Sequence, residues 1–202
     1  RISHLSLVRN EPATARVKQQ MAFTLEQDRM VRDFLDVYDI PGAAVAIVRG
    51  STIVAEGGFG LADVDRALPA TAHTVWPICS LTKSFTAVAA MQLVESGKLL
   101  LDTPVQTYLP GFRISDTAAS EPITSRLFLT HSSGLGRTGH QDRTREEQVN
   151  PYPTRKALVD ALDSATLQSA PGAAFSYCNE GFATVGHAIE TIAGVTLGEC
   201  FQ

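Results

Sequence analysis

The chain has 202 residues, 44% of them hydrophobic and 19% charged, a globular usage that excludes a disordered polypeptide. Its 17 basic and 21 acidic side chains leave a formal charge of −4, which excludes a surface built to neutralise nucleic-acid phosphates. No apolar run reaches the roughly 18–20 residues of a membrane helix, and the 3 cysteines have no Cys-x-x-Cys spacing, so neither a disulfide framework nor a zinc site is indicated.

Residues 1–20 are polar and weakly patterned and read as an N-terminal arm; the opening Arg1-Ile2-Ser3-His4 carries no signal-peptide pattern. Helical periodicity begins at Phe23 and recurs at Met30, Phe34, Val37 and Tyr38, which predicts an amphipathic helix over 21–38. Ile40-Pro41-Gly42 stops it, because proline cannot continue a helix. Ala43–Val48, apolar on both faces, predicts a buried strand; Arg49-Gly50-Ser51 turns it, and Thr52–Glu56 returns as a second strand. Gly57-Gly58-Phe59-Gly60 is expected to end this hairpin in a flexible stretch, followed by loop over 61–78 with a turn near Pro69.

Ser80–Glu95 has helical periodicity with Gly97 just past its end, the pattern of a glycine stop. Residues 100–122 hold Pro104, Pro110, Gly111 and Pro122 and read as loop. A short helix is expected over Thr124–Thr130, closed by Ser132-Ser133-Gly134, then a polar surface excursion over 136–151. Helices over 153–168 and 179–193 follow, split by Pro171-Gly172. A hairpin near the start and helices after 79 predict α+β architecture: a helix-plus-hairpin region over 21–78 and a mainly helical lobe over 79–202.

The sharpest chemical feature is Ser80-Leu81-Thr82-Lys83. A serine at a helix start and a lysine three residues on share one face, and the helix N-terminus offers unpaired N–H groups to a developing oxyanion. Alone, the tetrad is better read as an N-cap serine beside a solvated lysine. Ser176-Tyr177-Cys178-Asn179, just before another helix, could likewise be a core tyrosine and an N-cap asparagine. Together the two segments supply a nucleophile, a base and an orienting partner.

Further stretches occur in order over about 21–201: Ile40–Ala46, Gly58–Asp63, Ser80–Thr86, Gly97-Lys98-Leu99 with Leu101-Asp102, Tyr108-Leu109-Pro110, Leu129–Leu135, and Pro171-Gly172 before Phe175–Gly181. With these the chain resembles the serine β-lactamase and penicillin-binding-protein superfamily, and within it the class C β-lactamase-like group of esterases, D-peptidases and acyltransferases. The resemblance implies a β-lactamase/DD-peptidase-like α+β fold, an antiparallel sheet flanked by helices plus a mainly helical lobe. It implies Ser80 as the nucleophile that forms an acyl-enzyme, and Lys83 and Tyr177 sharing the base and acid work. Asn179 would orient Lys83 or bind substrate, and the Ser80 backbone N–H would serve the oxyanion. Free lysine and tyrosine titrate near about 10, so the pair must be tuned together, and which member holds the proton is open from sequence.

The implied substrate is a small ester, amide or lactam, with esterase or transesterase chemistry ahead of D-peptide or β-lactam hydrolysis; a catalytically silent scaffold is the alternative from another class. No metal or organic cofactor is required. His131 reads as structural, and a metal role for His131 with His140 lacks accompanying carboxylates. Cys79 and Cys178 flank the proposed nucleophile and base, which raises thiol sensitivity of the site as an expectation. The family's third motif, a Lys-Thr-Gly or His-x-Gly type segment on a late strand, has no match after Tyr177, and Arg137-Thr138-Gly139 precedes it. A second polypeptide supplying late strands, that motif and the second oxyanion N–H is therefore expected.

Overall fold

The structure is a computed structural model that describes residues 23–116, 122–136 and 153–202. The chain divides into two compact units, 1–77 and 78–202. The expected arm over 1–20 lies outside the described residues, as do Arg137-Thr138-Gly139, His140 and nearly all of the expected excursion over 136–151.

In the first unit, helix α1 spans Leu25–Val37 and starts later than its periodicity suggests. The reason is a capping box: the Thr24 hydroxyl accepts from the Gln27 N–H, and the Gln27 side chain accepts from the Thr24 N–H. Strands β1 (Gly42–Arg49), β2 (Thr52–Asp63) and β3 (Leu68–Pro69) form an antiparallel sheet in that order. The glycine stretch does not end the hairpin. β2 runs through it, with Gly57, Gly58 and Gly60 paired to Val45, Ala44 and Gly42. A Cβ on Gly58 would lie 2.2 Å from the Ala70 carbonyl oxygen, and one on Gly60 (φ +67°) 2.2 Å from that of Pro41. These glycines admit close backbone approach inside a strand rather than flexibility at its end. Between them, Phe59 is buried and meets Phe23 edge-on at 5.3 Å. β1 itself has no fully buried residue, contrary to the expected buried strand, because among the described residues it pairs with β2 alone.

In the second unit, a 3₁₀ turn over Cys79–Leu81 leads into α2 (Thr82–Glu95), which stops at Gly97 (φ +70°). A 3₁₀ turn over Val105–Thr107 precedes α3 (Ser125–Leu129), and α4 (Arg155–Asp160) continues as a 3₁₀ turn to Ser164. The helix expected to reach 168 ends there because Leu167 is drawn into a bridge with Leu135. Helix α5 spans Asn179–Ala193, and α6 (Leu197–Cys200), which the periodicity did not announce, is started by a Thr196–Glu199 capping box. Among the described residues no helix is long and apolar enough to cross a membrane.

α5 buries Gly181, Thr184, Val185, Ala188 and Ile189, a stripe at i, i+3, i+4, i+7 and i+8. It shares a core with Leu99, Phe112, Ile123, Phe128 and Leu135, where Phe112 and Phe128 meet edge-to-face at 5.8 Å and 88°. A Cβ on Gly181 would lie 2.7 Å from Phe128 Cδ1, so glycine there lets the first turn of α5 seat directly on the α3 phenylalanine. The chain leaving α3 then anchors the stretch that leads into α5. The carbonyls of His131, Ser132 and Gly134 accept from the N–H groups of Ser176 (2.7 Å), Gly172 (2.7 Å) and Gln168 (2.8 Å). That short ladder sets where residues 176–179 emerge.

Candidate active site

Ser80 lies in the 3₁₀ turn just ahead of α2 and Lys83, three residues on, in the first turn of α2. Lys83 Nζ donates to Ser80 Oγ at 3.2 Å. The residue before the serine, Cys79, has φ +47°, a left-handed conformation that costs a non-glycine residue energy and sharpens the turn presenting Ser80. From the other side, Tyr177 Oη lies 2.7 Å from Ser80 Oγ. Asn179 Oδ1 accepts from Lys83 Nζ at 2.6 Å. All four residues singled out from sequence therefore meet in one hydrogen-bonded chain, Tyr177–Ser80–Lys83–Asn179.

Lys83 Nζ also lies 4.8 Å from the Tyr177 ring centroid and 5.6 Å from that of Phe182, so aromatic faces border the ammonium on two sides. The Ser80 and Asn179 side chains are exposed and Lys83 and Tyr177 half-buried, which leaves Ser80 Oγ open to a reactant. Among the described residues no three His, Cys, Asp or Glu side chains gather as metal ligands.

Residues 27–202 match the protein-family model described as Beta-lactamase. The chain belongs to the Beta-lactamase family. It is 30% identical over 166 residues to Protein flp of Staphylococcus aureus, a match covering 82% of this chain and 32% of that protein. It superimposes on the octameric penicillin-binding protein homologue from Pyrococcus abyssi with a TM-score of 0.74 at 32% identity, over 86% of this chain and 40% of that one. It also resembles EstCE1, a hydrolase with promiscuous acyltransferase activity, at TM-score 0.73 and 25% identity, over 86% and 48% of the two chains. The chain thus spans about a third to a half of the length of these relatives. The fold is the α+β fold of β-lactamases and penicillin-binding proteins.

Three features of this Beta-lactamase-family chain were not read from the sequence. Cys178, not Asn179, caps α5: its buried Sγ accepts from the Gly181 N–H and donates to Glu180 Oε2, each at 3.4 Å. Asn179 is thereby released to face Lys83. Burial, chiefly, pushes the Cys178 thiol up to about 12, so the expected thiol sensitivity does not extend to this residue. Gly181 provides the seat on Phe128 described above. His131, at φ +55°, lays its ring 4.3 Å from that of Tyr177 at a 31° tilt, with Phe182 at 5.1 Å and Phe175 at 5.7 Å. Its Nδ1 accepts from the Cys178 N–H at 3.1 Å. Burial and the nearby Lys83 ammonium hold its pKa below the ordinary histidine value. The signal for Cys178 and His131 was their place in the Leu129–Leu135 and Phe175–Gly181 stretches, but nothing local reveals that the two stretches bond to each other.

Proposed function

We propose that this chain carries the nucleophilic half of a serine hydrolase or acyltransferase that cleaves a small ester, amide or lactam through an acyl-Ser80 intermediate. The observation that carries the reading is the Tyr177–Ser80–Lys83–Asn179 hydrogen-bond chain. An ammonium only donates, and Lys83 aims at two acceptors, Ser80 Oγ and Asn179 Oδ1. The Ser80 hydroxyl proton is then left to point at Tyr177 Oη, and an adjacent ammonium favours the phenolate that can take it.

In the acylation step the Ser80 proton passes to Tyr177, Oγ bonds to the carbonyl carbon, and the carbonyl π pair moves onto oxygen. The Ser80 N–H, at the start of a helical run and so without an intrahelical acceptor, would stabilise that oxyanion. As the tetrahedral species collapses, the phenol proton goes to the leaving oxygen or nitrogen. Water or an alcohol then reverses the sequence, which makes hydrolysis and transesterification two outcomes of one intermediate. Lys83 stays charged throughout and stabilises the phenolate; Asn179 holds the ammonium in place.

Ester chemistry comes first among the substrates, supported by the likeness to EstCE1; D-peptide and β-lactam hydrolysis are the other readings within the family. The second oxyanion N–H and the third motif would come from polypeptide outside these residues, whether continuous with the chain or a separate partner. Coverage of less than half of each relative supports this.

The test is intact mass after exposure of the full-length protein to a reactive arylphosphonate or p-nitrophenyl ester, with Ser80→Ala as control. One adduct that vanishes in Ser80→Ala is the expected result. No adduct on folded full-length material would turn the reading to a silent scaffold.

A further inference from the structure

We infer that His131 is a positioning residue for Tyr177: its uncharged imidazole and its own carbonyl together hold residues 176–178, and a proton on the ring releases that hold. The inference rests on the acyl-transfer reading for its kinetic consequence, although its geometric content stands separately.

Two bonds from this one residue bracket Tyr177. The His131 carbonyl accepts from the Ser176 N–H at 2.7 Å, and Nδ1 accepts from the Cys178 N–H at 3.1 Å. Between these pins the imidazole stacks on the phenol ring at 4.3 Å. The phenol hydroxyl, at the far end of a side chain gripped at its root and on its face, reaches Ser80 Oγ at 2.7 Å. The left-handed backbone at residue 131 (φ +55°) makes both contacts available to one residue, turning carbonyl and side chain toward the same strand of chain.

Only an unprotonated Nδ1 has a lone pair to offer, so the ring is the Nε2–H tautomer. The titratable groups around it are Lys83 on α2, Tyr177 and Cys178 on the 175–178 stretch, and Glu180 on α5, reached through the Cys178 thiol. On its own side, Arg126 of α3 is paired with Asp102. Protonation would cancel the bond to Cys178 and set a second cation beside the Lys83 ammonium. Because burial first and Lys83 second depress its pKa, the neutral form prevails at pH 7. The unfolded chain takes the proton first as pH falls through the ordinary histidine value of 6.5. Stability conferred by the clamp is therefore full above that value and lost progressively below it.

Imidazole ¹⁵N NMR on the full-length protein tests the clamp directly. An unprotonated Nδ1 at pH 7 that titrates below 6.5 is expected; a protonated Nδ1, or titration at or above that value, overturns it. The pH profile of Ser80 acylation gives the kinetic arm. His131→Asn places an acceptor where Nδ1 stood and tolerates a left-handed backbone, so it should react within about threefold of the parent at pH 7 and lose the acid inflection that His131 contributes. His131→Phe keeps a ring but no acceptor and should react about tenfold slower or worse, with the loss in kcat rather than KM. An unaltered acid inflection in His131→Asn, or a parental rate in His131→Phe, would sink the inference. If the parent itself is never acylated, the proposed function fails and the NMR result alone decides the clamp.

Discussion

The two units of this chain differ in how far each closes its own core, and the Tyr177–Ser80–Lys83–Asn179 hydrogen-bond chain sits in the one that closes. In residues 78–202, Leu99, Phe112, Ile123, Phe128, Leu135 and Ile189 are each at most 2% exposed, and helix α5 packs its stripe among them. Among the described residues of 1–77, only Leu35, Ala55, Phe59 and Ala70 are buried apolar side chains, whereas Met30, Phe34, Val37 and Val48 stand exposed and β1 is a sheet edge. Bringing side chains from different helices within hydrogen-bonding distance of one hydroxyl requires walls that do not move, and a filled core provides them. Among the described residues the first unit is a three-stranded sheet with one helix and a small buried core, while the second unit packs a larger core behind Ser80, Lys83, Tyr177 and Asn179.

The largest expected effect comes from a single oxygen in the second unit. Tyr177→Phe preserves the ring that His131 stacks on and removes Oη, and should slow Ser80 acylation by about 10²–10⁴-fold with no change in thermal midpoint. A parental rate would remove the phenol from the chemistry and leave Lys83 as the base.

Next come two truncations that pit the units against each other. Phe59→Ala and Phe128→Ala each delete a buried aromatic and should cost about 3–5 kcal/mol, read from chemical denaturation. Only Phe128→Ala should also slow acylation under conditions where the protein is still folded, because Phe128 seats Gly181 and the start of α5. Equal kinetic losses in both would break the distinction between the two units.

The smallest effect concerns the thiols. An aromatic disulfide reagent should modify exposed Cys79 in the folded protein and reach Cys178 only on unfolding, since the latter is 1% exposed and its pKa is pushed up to about 12. Rapid labelling of Cys178 without unfolding would mean that the N-terminus of α5 opens readily, contrary to a closed core.

Much of this molecule was legible in its amino-acid order, for identifiable reasons. α5 falls on its expected span of about 179–193, because the buried stripe and the Pro171-Gly172 break before it agree; in the structure Gly194 (φ +73°) closes it. α2 was legible at its end, Glu95 ahead of Gly97, but it starts at Thr82 rather than Ser80, which lies in the preceding 3₁₀ turn. The glycines of β2 misled, since glycine signals freedom in a local reading and closeness when another backbone passes at its Cα; the Ala70 and Pro41 carbonyls that pass there belong to other segments. The 153–168 helix was overlong for a similar reason, as Leu167 has a partner at Leu135 that no local window contains.

The sequence by itself determined that a serine and a lysine would share a helical face, that a tyrosine and an asparagine would stand at the start of a later helix, and which family these belong to. Those are properties of short spacing, and short spacing is governed by helix geometry. Only the tertiary structure decided that Tyr177 reaches across 97 positions to Ser80, that Cys178 takes the cap and frees Asn179 for Lys83, and that the His131 ring lies against that of Tyr177 and accepts from the Cys178 N–H. Each of these depends on the seating of α5 against α3 through Gly181 and Phe128, a packing contact between distant residues whose cost and benefit no local propensity records.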